Sequence, residues 1–560
     1  MKPPLVLALL ATAALAADPA ELGIFGIGSC HVNGRSANDA TRWIPQMREI
    51  GLRYYRACPT TWPQVQPAPG GFQWDALDSH MAYLADHGFI FGGLLHANVG
   101  WNAKDAPGTL PVRNLDAWGA YVAATVGHCK DRIRRWEVWN EPPNGTGPDQ
   151  TPADYAKLVV RTYQEAKAAD PDCRIGLAAK SAHISYLERA IRAGAKDHFD
   201  YITLHPYEIL DGIAENTGSE SVYLNIVPTV RKMLAACNPA KKDVPVVFTE
   251  LGCDSRKGVD TQAHALIKAY TMGIAQGVAC IQWFEGRDGD SGPLGLLDGR
   301  GNPRPAYHAL GRMIEHLGQR PVYRGWVMLD GRHPAFLFDG AKGPLLIAWA
   351  RNGKHDVRFE TALRLLDLTD GTEQTADTTS LGVAPLLVFD PPGKLAGRAV
   401  NDRPLPWGGD FSKAESVSLT VGDGQAERGL HTRSGAAAAK AVVAYGGSAR
   451  AGDIPGGNLF VVDPAFLSYD RVPIEITAEV RRKEDNKNAG FKLVYESPEG
   501  FKTAGHWYTI PDNECWHTAT WRIEDPCFVN YWGYNFALVS DGDEFNQYYL
   551  RRVTVRKAGD

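Results

Sequence analysis

The sequence lacks several features that would point to other classes of protein. Beyond its first sixteen residues it has no apolar run long enough to span a bilayer. Its 560 residues carry a formal net charge of only -5, so nothing in the charge favours a nucleic acid or an anionic membrane as a partner. It has no internal repeat and no long low-complexity tract. We therefore expect several ordinary globular domains, with neither a nucleic-acid partner nor a membrane span.

The cysteines show no metal-ligand spacing. None of the nine forms a Cys-x-x-Cys pair, and an odd number leaves at least one thiol without a disulfide partner. Cys129 with Cys173, and Cys515 with Cys527, are two conceivable bridges, but connectivity does not follow from spacing. Buried free thiols are the default expectation.

The first predicted βα turn lacks a phosphate-binding fingerprint. The segment Gly26-Ile27-Gly28-Ser29-Cys30-His31 has no third glycine, which argues against the alternative of an open, doubly wound sheet. From Gly23 to Gly318 the chain instead alternates short apolar runs with segments of helical periodicity. Eight such units in about 300 residues predict a (β/α)8 TIM barrel of α/β class. The apolar runs are Ile24–Cys30, Leu52–Ala57, Phe89–Leu95, Ile133–Trp139, Arg174–Ala179, Tyr201–Leu204, Val246–Thr249 and Ala279–Phe284, and a helical pattern at Pro305–Leu317 ends the set.

The sequence divides into four segments. Residues 1–16 have a basic start, an apolar run and a small-residue end, the layout of a secretory signal peptide, with a buried N-terminal helix as the alternative. We therefore expect a secreted or periplasmic protein. The barrel would occupy residues 17–318, and the short strand patterns that follow predict a small β-sandwich over residues 319–398. Residues 399–560 predict a β jelly roll.

Polar residues follow the predicted barrel strands at their C-terminal ends, where barrel enzymes carry their active groups. Among them, Glu141 follows the fourth strand and Glu250 ends the seventh. Paired carboxylates of this kind suit glycosidic bond cleavage, because one must protonate the leaving oxygen while the other attacks or shields the anomeric carbon. The pattern therefore predicts a glycosidase. Either glutamate alone would equally suit a structural ion pair.

Further strand-end residues suit supporting roles in such a site. Arg56 is placed to keep a neighbouring carboxylate charged, and Tyr207 to donate a hydrogen bond to it. Asn140 suits a sugar hydroxyl and Trp283 the apolar face of a sugar ring. His96 and His205 complete the set of candidate substrate-binding residues. Histidines at such places are more often scaffold residues, and tryptophans there often belong to the core, which is our interpretation of Trp136.

These motifs resemble those of a known group of enzymes. Trp139-Asn140-Glu141-Pro142 and Thr249-Glu250-Leu251-Gly252 are similar to the acid/base and nucleophile motifs of the retaining glycoside hydrolases of clan A, in particular families 39 and 5. The segments around Tyr54-Tyr55-Arg56 and Leu204-His205-Pro206-Tyr207 are similar to their second-strand and sixth-strand segments. The resemblance covers the barrel, about half of the chain. The third unit resembles a carbohydrate-binding jelly roll, with a purely structural role as the alternative.

The resemblance implies specific roles. Glu141 would be the general acid/base and Glu250 the nucleophile of a double displacement, with their carboxyl groups about 5 Å apart. Asn140 would contact the sugar 2-hydroxyl, Arg56 and Tyr207 would tune Glu250, and Trp283 would form the floor of the innermost subsite. The short, glycine-rich loop after Glu141 departs from the family, so its substrate contacts do not transfer.

The sequence thus predicts a secreted retaining glycoside hydrolase that acts on an oligo- or polysaccharide and needs no cofactor or metal. Two alternatives remain open. One is a catalytically inactive carbohydrate-binding protein on the same barrel. The other is a metal-dependent hydrolase built on His31, His96 and His205, which activity loss with a chelator would reveal.

Overall fold

The computed structural model describes residues 23–28, 43–57, 59–102, 104–106, 108–147, 150–215, 218–289, 291–421, 426–433, 441–454 and 456–558. The predicted signal peptide and His31 lie outside these residues. Three units follow one another along the described chain: a barrel, a single antiparallel sheet and a two-sheet β-domain.

The first unit is the predicted barrel. Eight parallel strands each pair with the next, and the first pairs with the last, so the sheet is closed. Its strands are β1 (Phe25–Ile27), β2 (Tyr54–Ala57), β3 (Ile90–Leu95), β4 (Ile133–Val138), β5 (Arg174–Ala179), β6 (Tyr201–Leu204), β7 (Val246–Leu251) and β8 (Cys280–Trp283). The apolar runs therefore predicted all eight strands, and the limits of β5 and β6 match.

Helices lie between the strands. They are α1 (Ile44–Glu49), α2 (Trp62–Val65), α3 (Asp75–Asp86), α4 (Leu115–His128), α5 (Pro152–Ala169), α6 (Ile184–Arg192), α7 (Tyr207–Ala214), α8 (Glu220–Tyr223), α9 (Ile226–Cys237), α10 (Val259–Gln276) and α11 (Pro305–Leu317). Thr151 and Asp154 form a capping box at the start of α5, and Pro152 occupies its first turn. These residues satisfy amide groups that have no partner inside the helix, which fixes where α5 begins.

The second unit, for which we expected a small β-sandwich over residues 319–398, is built of antiparallel strands that all belong to one sheet. Hydrogen bonds join all six strands in the order β13-β12-β14-β11-β10-β9. Along β10, Phe336 and Phe338 join the apolar cluster of the barrel, while Leu337 between them packs in a separate core on the other face. The barrel itself thus covers one face, so a second sheet is unnecessary there. The strands are β9 (Val322–Leu329), β10 (His333–Gly340), β11 (Gly343–Ala348), β12 (His355–Asp367), β13 (Glu373–Leu381) and β14 (Leu386–Phe389).

The third unit, strands β15 to β26, is called the C-terminal β-domain below. Two antiparallel sheets enclose an apolar core, as a jelly roll requires. In β21 the buried residues alternate, from Ile474 and Ile476 to Ala478 and Val480, the pattern of a strand with one face on a core. A short helix, α12 (Gly393–Ala396), precedes the domain. Its strands are β15 (Ser416–Thr420), β16 (Ala426–Arg428), β17 (Leu430–Thr432), β18 (Val442–Ala444), β19 (Gly447–Ala451), β20 (Asn458–Val462), β21 (Ile474–Arg482), β22 (Gly490–Ser497), β23 (Gly500–Thr509), β24 (His517–Ile523), β25 (Phe536–Val539) and β26 (Tyr548–Lys557).

Neither conceivable disulfide forms in the structure. Cys129, Cys173, Cys515 and Cys527 all carry free thiols, and Cys515 alone among them is exposed. Burial raises the pKa of the Cys129 and Cys173 thiols to about 12, so both behave as apolar core residues. Among the described helices, none has the length and apolar character that crossing a membrane requires.

Candidate active site

The fourth strand delivers the first candidate carboxylate through an unusual backbone. Trp139 and Glu141, directly after β4, have φ angles of 67° and 49°, in the left-handed region that side chains with a Cβ rarely adopt. Such a conformation costs roughly 1–3 kcal/mol per residue and persists where the surrounding structure holds it. Here it turns Glu141 onto the barrel rim, with its side chain 19% exposed.

Arg56 lies at the centre of the charge network inside the barrel mouth. Its Nε donates to Glu137 Oε2 at 2.7 Å, and its Nη1 donates to Glu250 Oε1 at 2.5 Å. Its Nη2 donates to the Asn140 amide oxygen at 2.8 Å. One guanidinium thus fixes residues of β4 and β7 relative to β2, and its charge offsets that of two buried carboxylates.

His205 connects the two candidate catalytic glutamates. Its Nδ1 lies 2.8 Å from Glu141 Oε1 and 3.6 Å from Glu250 Oε2, and its Nε2 lies 2.9 Å from the Thr249 hydroxyl. Burial would lower the pKa of His205, but the charge of Glu250 and the bond to Glu141 raise it overall. The ring therefore favours the protonated form between two anions.

The pKa of Glu141 moves in the opposite direction. Burial would raise the pKa, but the hydrogen bond and charge of His205 outweigh it. Asn144 Nδ2, 3.1 Å from Glu141 Oε2, and the charge of Lys180 act in the same sense, so that the pKa falls to about 2. Both shifts therefore favour a Glu141 carboxylate beside a His205 imidazolium.

Glu250 is held from both oxygens. Arg56 occupies Oε1, and the Tyr207 hydroxyl donates to Oε2 at 3.2 Å, so both residues predicted to contact Glu250 do so. An oxygen of Glu141, an oxygen of Glu250 and a ring nitrogen of His205 lie within 4.8 Å of one another. The two strand ends therefore present their carboxylates to one small space.

Asn140 and His96 form the other side of this arrangement. The Asn140 backbone amide donates to His96 Nδ1 at 3.2 Å, and the His96 ring packs edge-on against Trp139 with centroids 4.6 Å apart. Because Arg56 occupies the Asn140 amide oxygen, what remains for a sugar hydroxyl is the Nδ2 donor group. His96 thus orients the backbone after β4, which is a structural role.

Trp283 does not occupy the position expected of a sugar platform. Its side chain is completely buried, and its indole Nε1 donates to the Leu294 carbonyl at 3.3 Å. A ring with no exposed face has none to offer a substrate, so the expectation for Trp283 is wrong in this structure. The ring fills space between β8 and the segment after it.

Sequence reasoning missed a third carboxylate. Glu137 lies inside β4 with 2% of its side chain exposed, and it accepts from Arg56, Thr203 Oγ1 at 2.9 Å and Thr249 Oγ1 at 3.2 Å. An ionisable residue within an apolar run was the available signal, since a buried charge requires partners. Asn144 was also missed as a partner of Glu141.

The two histidines of the metal-site alternative that the structure describes, His96 and His205, do not favour it. Both His205 nitrogens already contact Glu141 and Thr249, and His96 Nδ1 accepts from a backbone amide. Glu141, His205 and Glu250 are close enough to share a cation. However, the guanidinium of Arg56, 2.5 Å from Glu250, would repel one.

Comparison with known proteins concerns the fold. No family model matches the sequence, and no curated protein matches it. Solved structures do match. A family 39 glycoside hydrolase from the gut symbiont Bacteroides cellulosilyticus WH2 aligns with a TM-score of 0.54 at 20% identity, over 66% of this chain and 81% of that one.

The barrel has the fold of a glycoside hydrolase. GH5_18 from Streptomyces cattleya aligns with a TM-score of 0.42 at 15% identity, over 52% of this chain and 80% of that one. An alpha-L-arabinofuranosidase from Thermotoga maritima aligns with a TM-score of 0.45 at 12% identity, over 66% of this chain and 98% of that one. The alignment with the family 39 structure confirms the predicted (β/α)8 barrel fold, and activity must be argued from the site.

Proposed function

We propose that the protein is a secreted retaining glycoside hydrolase that cleaves a glycosidic bond of an oligo- or polysaccharide. The supporting observation is the approach of the Glu141 and Glu250 carboxylates at the C-terminal ends of β4 and β7, where one oxygen of each lies within 4.8 Å of the other. Retaining enzymes hold their two carboxyl groups about 5 Å apart, whereas inverting enzymes need roughly 6.5–9.5 Å to admit a water.

In the first step Glu250 attacks the anomeric carbon and Glu141 protonates the leaving oxygen. Arg56 and Tyr207 each hold one oxygen of Glu250, which fixes the nucleophile before substrate arrives. The bond between the anomeric carbon and the leaving oxygen breaks as the glycosyl-enzyme ester forms. Asn140 Nδ2 would bind a hydroxyl of the same sugar.

Glu141 needs a proton that its low pKa does not keep on it at rest. His205 Nδ1, 2.8 Å from Oε1, is the adjacent donor. As Glu250 is consumed in the ester, the anion that favoured a charged His205 disappears, and transfer from His205 to Glu141 becomes easier. The proton for the leaving group is therefore held by the pair rather than by Glu141 alone.

In the second step Glu141, now a carboxylate, removes a proton from water, and that water attacks the anomeric carbon. The ester bond breaks, Glu250 returns to its bonds with Arg56 and Tyr207, and the proton passes from Glu141 to His205, which restores the resting pair. Two displacements at one carbon leave its configuration unchanged.

The anomeric configuration of the first product tests this function. Proton NMR of the sugar released from an active aryl glycoside, recorded before mutarotation, should show the configuration of the substrate. An inverted product would overturn the double displacement. Glu141→Gln serves as the matched variant, since it keeps the shape of Glu141 but cannot donate or accept the proton.

Secretion belongs to the proposal and has its own test. It rests on the sequence of residues 1–16, a basic start followed by an apolar run. Expression in a bacterial host followed by fractionation should recover protein shortened at its N-terminus outside the cytoplasm. Full-length protein in the cytoplasm alone would contradict secretion without affecting the proposed chemistry.

A further inference from the structure

The C-terminal β-domain reaches the rim of the barrel beside the catalytic pair. Residues 529–535, called the rim loop below, connect to β25 and lie against the segments that follow β5 and β6. Trp532 in this loop is one of the few large apolar side chains that remain exposed, at 38%. The Lys180 ammonium lies over its ring, 4.5 Å from the centroid.

A chain of contacts links Trp532 to Glu141. Lys180 Nζ donates to Asn144 Oδ1 at 3.2 Å, and Asn144 Nδ2 donates to Glu141 Oε2 at 3.1 Å. Two side chains therefore separate the exposed indole from the carboxylate proposed to protonate the leaving oxygen. Because Glu141 is proposed to protonate the leaving oxygen, a surface that adjoins Glu141 is placed to contact the leaving-group side of the bond.

The rim loop is firmly attached to the barrel. The Tyr531 ring stacks on His183 with centroids 4.1 Å apart and planes 4° from parallel, and the Ser181 hydroxyl contacts the Tyr531 carbonyl. Burial lowers the pKa of His183 to about 3, so the stacked imidazole is neutral. Gly533 has a φ of 80°, and a Cβ there would lie 2.8 Å from the Glu208 carbonyl oxygen, so only glycine permits this approach.

The loop is also held from within its own domain. The buried Glu496 carboxylate accepts from the backbone amides of Val529 at 2.8 Å, Asn530 at 3.0 Å and Tyr531 at 3.1 Å. It accepts from Asn535 Nδ2 at 3.0 Å as well. Four donors on one carboxylate fix both ends of the loop, so the Trp532 backbone is placed before any ligand arrives.

We propose that Trp532 forms a sugar-stacking subsite on the leaving-group side of the catalytic pair, supplied to the barrel by the C-terminal β-domain. This proposal rests on the proposed function for its orientation. The Lys180 ammonium lies over the indole, and the exposed part of Trp532 can pack against the C–H face of a pyranose while the ammonium donates to ring hydroxyls. The substrate class is therefore a chain with more than one sugar beyond the cleaved bond.

Kinetics on long and short substrates test the subsite. Trp532→Ala should raise KM about tenfold on whichever of cellohexaose, xylohexaose or mannohexaose is cleaved, with a smaller change on the matching aryl glycoside. Trp532→Phe should recover most of the loss because it keeps a ring. Equal losses on both substrates, or none on the hexasaccharide, would overturn the proposal.

A matched control separates the subsite from general damage to the domain. Trp516 lies in the same domain and also has a cation over its ring, the Arg551 guanidinium, 4.6 Å from the ring centroid. Trp516→Ala should leave both KM values unchanged. A loss equal to that of Trp532→Ala would count against a specific subsite.

Binding measurements distinguish failure of the subsite from failure of the proposed function. Calorimetric titration of the three hexasaccharides into Glu250→Gln, with and without Trp532→Ala, reports affinity where no turnover occurs. About tenfold weaker binding in the double variant supports the subsite even if the wild type cleaves nothing. Equal affinity of the two proteins, or no binding by either, overturns it.

Discussion

Two buried carboxylates in different parts of the molecule are satisfied in different ways. In the barrel, Glu137 (2% exposed) receives donors from the side chains of Arg56, Thr203 and Thr249. In the C-terminal β-domain, Glu496 (1% exposed) receives three consecutive backbone amides and one side-chain amide. The first arrangement joins neighbouring barrel strands. It also holds Arg56, which donates to Glu250 at the reaction site. The second shapes a loop and leaves no charge for chemistry.

The largest effect is expected from a substitution at Glu250, which shares Arg56 with Glu137. Glu250→Gln should lower kcat by at least about a thousandfold on any substrate, because the amide cannot form the glycosyl ester. Its melting temperature should stay within a few degrees of wild type, since the amide oxygen still accepts from Arg56. Residual activity within tenfold of wild type would remove Glu250 from its role.

The next largest effect should follow loss of the shared cation. Arg56→Leu leaves Glu137 charged and buried without its ion partner, at a cost of about 3–5 kcal/mol in the free energy of unfolding. Urea unfolding of the barrel measures it. The double variant Arg56→Leu/Glu137→Leu should recover much of that stability but none of the lost activity. Equal stability of the single and double variants would show that the pair is not coupled.

Disruption of the four amide hydrogen bonds to Glu496 should have a smaller effect, on substrate affinity rather than on turnover. Glu496→Gln places an NH2 group among three backbone donors, which should cost about 2 kcal/mol and loosen the rim loop. Because Trp532 lies in that loop, KM for a long substrate should rise more than KM for an aryl glycoside, with kcat preserved. A fall in kcat with no change in KM would contradict this separation of the two regions.

The smallest predicted effect is a dependence of stability on pH. The pKa of Glu141 is lowered from 4.5 to about 2, so its contribution is present above pH 4.5 and lost as pH falls toward 2. The pKa of His205 is raised above 6.5, so its contribution is present below pH 6.5 and lost as pH rises through the raised value. The melting temperature of wild type should therefore exceed that of Glu141→Gln most between pH 4.5 and 6.5. A pH-independent difference in scanning calorimetry would contradict the pairing.

The sequence predicted the barrel well because periodicity records local burial. Each apolar run corresponds to a strand, and Glu141 and Glu250 were found because they interrupt such runs at their ends. Glu137 was missed since it lies within a run, where only its partners from β2, β6 and β7 explain its charge. The prediction that Trp283 contacts the substrate was wrong, because the exposure of a side chain at a strand end depends on the chain segment that covers it.

Contacts between units left even less trace in the sequence. The one-sheet second unit depends on the barrel covering a face that strand patterns alone show only as apolar. Aromatic residues are dense in the sequence around Tyr531 and Trp532. A core role and a binding role look alike there until the structure shows Tyr531 stacked on His183 and Trp532 exposed. Such pairings join residues some 350 positions apart.

One apolar cluster is shared by the barrel and the C-terminal β-domain, and this affects how truncated or fused proteins would behave. Val461, Cys527 and Tyr531 of the C-terminal β-domain belong to the same cluster as the barrel side chains. A truncation at the α12 linker would uncover that patch and invite aggregation. We therefore expect the domain to fold poorly when fused to another enzyme, because part of its apolar core is supplied by the barrel.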